Sequence, residues 1–167
     1  MAQSREIRSY DYVNHPYARV REALAADATG VFRAATRSAA SRAHSVAAAL
    51  HVNLAGLEVA REIALSVGTI EDRHIEGSSL PVTIIPVAWE AARQPTLFPF
   101  MSAQLAVYPL TSTETQLDFL GRYEPPLSIV GDVMNAVVGH RVAEASVHRF
   151  VADIAHYLRE QLSDGRS

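Results

Sequence analysis

The sequence predicts an α+β fold: a curved antiparallel sheet of about six strands around a long C-terminal helix, with two short helices after the first strand. Three observations carry this expectation. Stretches that alternate apolar and polar residues occupy the start and the middle of the chain. An alanine-rich helical stretch separates them. The chain then closes on a run, Leu127 to Leu162, whose apolar residues recur at helical spacing.

Arg5 to Val13 reads as the first strand, with Ile7, Ser9, Asp11 and Val13 on one face and Tyr10 and Tyr12 on the other. Asn14-His15-Pro16 stops it, because proline restricts the residue before it and suits the first turn of a helix. Tyr17, Val20 and Leu24 form one stripe of a short helix. Asp27 is a plausible N-cap for a second helix, in which Gly30 weakens the first turn. Val31, Phe32, Ala35, Ala39 and Val46 fall roughly on one side of its alanine-rich continuation to Ala49. Alanine's helix propensity supports that assignment, while its small side chain buries little area.

After Leu50 the alternation of Leu50, Val52, Leu54, Leu57, Val59, Ile63, Leu65 and Val67 predicts two short strands, or one bent at Ala55-Gly56. Thr69 to Ser79 reads as a polar surface turn. Pro81 to Trp89 is a strand-type apolar run, broken by Glu90 to Pro95, and Met101 to Pro109 is a further strand ending in a turn at Leu110 to Ser112. Ser112 to Tyr123 is the clearest strand, with Thr113, Thr115, Leu117, Phe119 and Tyr123 on one face. Pro125-Pro126 ends it, since neither can donate to a ladder. In the last helix Val147, Phe150, Val151, Ile154 and Leu158 form one stripe. An earlier stripe, Val130, Val133, Met134, Val137 and Val138, lies about a third of a turn away at ~100° per residue. Gly139 sits between them, so either the helix kinks there or its first half faces a different partner.

Composition narrows the function classes. The chain has 167 residues, a length for which one domain spanning 1–167 is expected, and 49% of them are apolar. The net charge is −3, with no basic stripe to neutralise phosphates, so nucleic acid is not an expected partner. There is no cysteine, which excludes disulfides, thiol nucleophiles and thiolate metal sites and suits a reducing compartment. No signal-peptide h-region and no run long enough for a membrane span occur, so a cytoplasmic protein is expected. All fifteen basic residues are arginine and alanine is abundant, a pattern of GC-rich bacterial coding.

This order of elements resembles the SRPBCC superfamily of START and polyketide-cyclase-like domains. The residues carrying the resemblance are His15-Pro16 with Val20 and Leu24, and Leu97-Phe98-Pro99 before Leu105-Ala106-Val107. With them go Gly121-Arg122-Tyr123-Glu124-Pro125-Pro126 and Gly139-His140-Arg141-Val142-Ala143. It extends over about residues 5–162. The resemblance implies the helix-grip fold and a cavity between the concave sheet face and the terminal helix, used within the superfamily for lipids, sterols, polyketides, hormones or aromatic intermediates. Fold alone does not choose among carriers, sensors, enzymes and partner-binding proteins.

The residue types suited to lining such a cavity are Trp89, Phe98, Phe100, Met101, Tyr108, Phe119 and Tyr123 on the strands, which would equally fill an ordinary core. Phe119 and Tyr123 share a strand face and make the best pair. Met134, Val137 and Val138, from the out-of-phase stripe, are placed opposite them. Among polar candidates, Asp118 and Arg122 share one strand face and suit an exposed ion pair. Glu62, if buried, would have a raised pKa suited to proton transfer. Tyr123 could offer its hydroxyl to a ligand carbonyl. His140, His148 and His156 advance about 12 Å and ~80° per step and cannot converge on one metal, so pairing with Glu144 or Asp153 is expected.

No G-x-S-x-G, P-loop, dinucleotide fingerprint or H-E-x-x-H motif is present, so no metal or nucleotide cofactor is expected. Three functions stay open. One is a carrier or sensor of a small hydrophobic ligand. Another is a cyclase- or dehydratase-type enzyme acting on such a ligand. The third is an interaction module with a collapsed cavity, whose alanine-rich helix could also serve a homodimer.

Overall fold

The computed structural model describes residues 4–49, 63–91, 100–124 and 133–165. The elements are β1 (Arg5–Val13), α1 (Tyr17–Ala49), β2 (Ile63–Val67), β3 (Glu71–His74), β4 (Pro81–Ala91), β5 (Phe100–Pro109), β6 (Thr115–Glu124) and α2 (Val133–Asp164). The six strands form one antiparallel sheet in the order β1-β6-β5-β4-β2, with β3 also paired to β4. Both helices pack on its inner face. The expectations for Leu50 to Glu62, for Glu90 to Pro95 beyond Ala91, and for Pro125-Pro126 fall outside the described residues.

Alternation decides which face each strand buries. In β6, Thr115, Leu117, Phe119, Gly121 and Tyr123 are buried and the residues between them are half-buried or exposed. The strand starts three residues later than the pattern suggests, because Leu110 to Glu114 close the hairpin through Leu110 N–H to Glu114 O (2.9 Å). In β1, Ile7, Ser9 and Val13 are buried while Tyr10 (71%) and Tyr12 (50%) face solvent. Register then aligns the inner residues into rows across the sheet. The last complete row towards the N-terminus of α2 is Arg5, Tyr123, Met101, Trp89 and Leu65, and the next is Ile7, Gly121, Ala103, Val87 and Val67.

After β1, Pro16 opens α1, its carbonyl accepting from Arg19 and Val20 at 3.0 and 3.2 Å. The helix breaks once, at Asp27, whose backbone is non-helical (φ −156°, ψ 57°) and whose Oδ1 accepts from Gly30 N–H at 3.0 Å. Asp27 is thus the N-cap of the second arm, and Val20, Leu24, Phe32, Ala35 and Ala39 are buried as the stripes predict. Gly30 has a specific reason to be glycine: a Cβ there would lie 2.2 Å from the capping carboxylate.

The segment expected to be only a surface turn, Thr69 to Ser79, contains β3, which pairs with the first half of β4. All four of its residues are exposed, so it carries no apolar alternation to read. From Val67 to Glu71 the chain takes four steps while its partner β4 takes three, Val87 to Ile84, which is a bulge. The bulge sits opposite Pro86. A strand residue's N–H and C=O point the same way, so Pro86 lacks its donor on the side where the ladder is already interrupted, and its carbonyl accepts from Gly68 N–H at 2.8 Å. Gly68 also has no room for a side chain: its Cβ would stand 2.8 Å from Pro86 Cβ.

Helix α2 runs without interruption through Gly139 and lies along β1, bound to it and its neighbours at successive heights. Tyr123 Oη meets His140 Nδ1 at 2.9 Å and Ser9 Oγ meets His148 Nδ1 at 3.1 Å. Arg159 donates to Asp11 Oδ1 at 2.8 Å and to Tyr12 O, with its guanidinium 5.4 Å from the centre of the Tyr12 ring. Ser163 meets His15. The two helices are antiparallel: Arg19 near the start of α1 donates to Leu162 O, and Ser38 accepts from Arg149. No helix among the described residues is long and apolar enough to cross a membrane.

The Asp27–Gly30 contact sets a sign that propensity alone gets wrong. Gly→Ala within a helix ordinarily stabilises by about 1 kcal/mol. Here Gly30→Ala evicts the cap, a loss of similar size, so little or no gain in Tm is expected. In an Asp27→Ala background the same substitution is expected to stabilise. A double-mutant cycle by denaturant unfolding reads the coupling directly.

Candidate functional site

The concave face has an aromatic, filled end and, towards the N-terminus of α2, an end where Gly139 and Ala143 continue the line of Phe150. At the filled end, Phe150 of α2 rests on Trp89 (ring centroids 4.9 Å) and on Phe119 (5.6 Å, edge-on), while Phe32 of α1 meets Phe150 at 5.7 Å. Trp89 and Phe119 stack at 5.8 Å, and all four rings are buried. Trp89 and Phe119, expected to line a cavity, are thus held in a continuous aromatic core on their helix side. Gly121 lets this happen: a Cβ there would lie 2.8 Å from Met101 Sδ and 2.9 Å from the Phe119 ring, so both side chains lean over bare backbone.

Above Phe150 the residues that continue its own line on α2 are small, although Val142 and Val147 are buried beside them. A step of seven residues turns ~700°, only ~20° short of two full turns, so Ala143 continues the line of Phe150; Gly139, eleven residues back, lies ~20° from that line on its other side. Both are buried, as is Ser146, whose hydroxyl is satisfied by Val142 O at 2.7 Å. The neighbouring arm of α1 offers Ala39, Ala40 and Ala43. The sheet row that ends nearest them keeps large residues, Met101 and Tyr123, each at most 1% exposed.

The polar group at this end is a chain of three residues. Tyr123 Oη is 2.9 Å from His140 Nδ1, and His140 Nε2 is 3.5 Å from Glu144 Oε1, one helical turn on. The Tyr123 and His140 rings are stacked, 6.1 Å apart and 29° from parallel. Burial pushes the Tyr123 phenol up, and Arg5, its cross-strand partner, pulls it partly back down. The phenol is enclosed while the imidazole (37% exposed) and the Glu144 carboxylate (53%) reach solvent. The sequence marks Tyr123 for its hydroxyl but gives no sign of its pairing with His140, because strand-to-helix contacts have no sequence spacing.

Other expected site residues are distributed differently. Met101 lies on the inner face between Trp89 and Tyr123. Tyr108 must be corrected: β5 buries Met101, Leu105 and Val107, so Tyr108 has the opposite parity and stands on the outer face beside Asp118 and Arg8. Asp118 is also on that face, and its partner is Arg8 of β1, in a two-pronged ion pair of 2.7 and 3.0 Å, instead of Arg122. Phe98 and Glu62 lie outside the described residues, as do the side chains of Phe100, Met134, Val137 and Val138. Of the histidines, His140 pairs with Glu144 as expected, His148 instead bonds Ser9, and His156 pairs with Glu160 at 3.2 Å; Asp153 is taken by Arg149 at 3.1 Å. No group of three His, Cys, Asp or Glu residues among those described could hold a metal ion.

An open groove of about 500 Å³ lies elsewhere, outside the sheet, between α1 and α2. Its acids are already engaged: Asp27 caps the helix, Asp153 holds Arg149 and Glu160 holds His156.

No family model matches the sequence, and no curated protein matches it either. Solved structures do match. The Zhui aromatase/cyclase from Streptomyces sp. R1128 superposes with a TM-score of 0.53 at 13% identity, over 98% of this chain and 99% of that one. The protein TTHA0849 from Thermus thermophilus does so with a TM-score of 0.50 at 15% identity, over 96% and 99%. At these identities the likeness speaks for the fold.

Because the Tyr123 phenol is raised by burial, the unfolded chain gives up that proton at a lower pH than the folded one. Its contribution to stability is therefore complete below the ordinary tyrosine range near pH 10 and is lost as pH rises through the elevated folded value. Unfolding midpoints measured between about pH 8 and 11.5, a window bracketing that range, are expected to fall at the alkaline end, and less steeply in Tyr123→Phe. Equal slopes would mean that the phenol is as solvated as in the unfolded chain.

Proposed function

From the helix-grip fold, the fold of the SRPBCC superfamily, and from the small residues that continue the line of Phe150, we propose that this chain binds a small hydrophobic molecule as a carrier or sensor. The molecule lies between the row of Met101 and Tyr123 on the sheet and the first half of α2. One observation carries the reading. The helix line that presents Phe150 to Trp89 and Phe119 continues as Ala143 and Gly139, while the sheet row there carries Met101 and Tyr123. Aromatic and sulfur-bearing walls with one polar group at their edge are the usual makeup of a site for an apolar ligand. Such a ligand supplies the apolar surface that the small helix residues do not, at about 25 cal/mol per Å² buried.

Two measurements test this. Native mass spectrometry of protein from its own host is expected to show a co-purifying small molecule. Clean protein that also gives no thermal shift with a panel of lipids and aromatic compounds would count against the reading. Ala143→Leu is expected to keep Tm within a few degrees and to abolish those ligand shifts, because the added carbons occupy the ligand's place. A loss of about 1–3 kcal/mol instead is the signature of overpacking and would mean that helix and sheet already meet there.

A further inference from the structure

We propose that the outer face of the sheet is an interface on which a second copy of this chain docks, face to face. This contact is separate from the ligand reading above and stands or falls without it. Both helices pack on the inner face, so among the described elements the outer face belongs to the strands alone. β4 is nonetheless composed as a strand covered on both sides. Thr83, Ile85, Val87 and Trp89 are buried inward, and the outward residues Val82, Ile84, Pro86 and Ala88 are all apolar. An unbroken apolar run is what a strand shows when both faces are covered, whereas a strand with one wet face alternates, as β6 does. Register sets beside this strip Ala106 and Tyr108 of β5, the exposed Leu120 of β6 and the exposed Tyr10 of β1. An apolar patch rimmed by charges, here Glu6, Arg122, Glu71 and Arg73, marks a protein contact.

The face is its own complement, which is why the occupant is a second copy. Two outward rows cross its middle: Arg8, Leu120, Gln104 and Pro86, and beside it Tyr10, Asp118, Ala106 and Ile84. A two-fold axis running across the strands, midway between these rows, lays each row over the other row of the second copy. Pro86 then meets the second copy's Ile84, Gln104 meets its Ala106, and Leu120 lies over its Asp118. Arg8 comes over the exposed ring of its Tyr10, a cation–π pairing. The same operation lays the Arg8–Asp118 ion pair over an inverted Arg8–Asp118 pair, so each guanidinium gains a carboxylate of the other copy as its diagonal neighbour. Unlike charges thus alternate across the axis, and no two like charges stand directly opposite. Five strand positions and about seven residues along each give roughly 600 Å² in projection. That is the low end for a specific interface, whose partners bury about 800 Å² each, so a micromolar dissociation constant is expected.

The test is the mass of the intact chain in solution, by size-exclusion chromatography with light scattering at about 100 μM, above the micromolar end of the range for such interfaces. Wild type is expected at twice the chain mass. Ala106→Glu sets a carboxylate beside the axis on each copy, and Leu120→Glu sets one over the second copy's Asp118. Each is expected to raise the dissociation constant about a hundredfold and leave monomer. Thermal melts establish that the variants fold, and Leu120→Glu, at an exposed position, keeps the test open if Ala106→Glu does not. Ala34→Glu, on the exposed side of α1, is expected to stay dimeric. The chain has no cysteine, so Gln104→Cys supplies a single thiol per copy. Sheets packed about 10 Å apart hold the two 104 positions about 12 Å from each other, within reach of a short bismaleimide, and a covalent dimer is expected. Wild type that is monomeric at that concentration overturns the interface. So does a dimer that survives both folded sheet variants, one that Ala34→Glu dissolves while they do not, or one that Gln104→Cys fails to cross-link.

Discussion

The polar seam between α2 and β1 sets the rest of the molecule. Four contacts along the helix, at His140, His148, Arg159 and Ser163, meet Tyr123, Ser9, Asp11 with Tyr12, and His15 on the sheet side. Each is small alone: half-exposed ion pairs and neutral hydrogen bonds contribute about 1 kcal/mol or less. Their value is positional. With the helix fixed at both ends, its turn-by-turn face over the sheet is no longer free, and every residue between inherits a fixed neighbour. Phe150 then falls on Trp89 and Phe119, and Ala143 and Gly139 continue its line towards the N-terminus of α2.

The aromatic core and the line of small residues beyond it are thus two outcomes of one registration. Below, three aromatic rings from the sheet and α2, joined by Phe32 from α1, interlock at centroid separations of 4.9 to 5.8 Å. Such pairs add about 0.5–1.5 kcal/mol each beyond their buried area. Above, the line of Phe150 on the helix continues as Ala143 and Gly139, flanked by the buried Val142, Ser146 and Val147. The Tyr123–His140 contact closes the seam at the top.

Much of the architecture is legible in the sequence because it is periodic. The inner face of β6, the stripe through Val147 to Leu158 and the Asp27 cap follow from alternation, helical spacing and capping chemistry, and all three are present. β3 is not legible, since an exposed four-residue strand has no buried face to mark it. The site reads less well. Grouping aromatics by strand without parity puts Tyr108 on the wrong face. Sequence proximity matches Asp118 to Arg122, whereas Arg8 is brought to it by β1–β6 pairing, 110 residues away in the chain. Strand alternation marks Tyr123 as inward-facing, but its bond to His140 depends on how α2 rotates over the sheet, which no local pattern encodes.

The bond from Arg159 to Tyr12 has a bearing on how molecules of this protein meet one another. β1 is an edge of the sheet, and its outward backbone groups belong to the even-numbered residues from Glu6 to Tyr12. At Tyr12 both are occupied, the carbonyl by Arg159 and the amide by the Asp11 carboxylate. A strand from a second copy could therefore zip along only the first part of this rim, where Glu6 and Arg8 put charge in its way. The same arginine that seats the last helix thus shields an open margin of the sheet from runaway stacking into fibres.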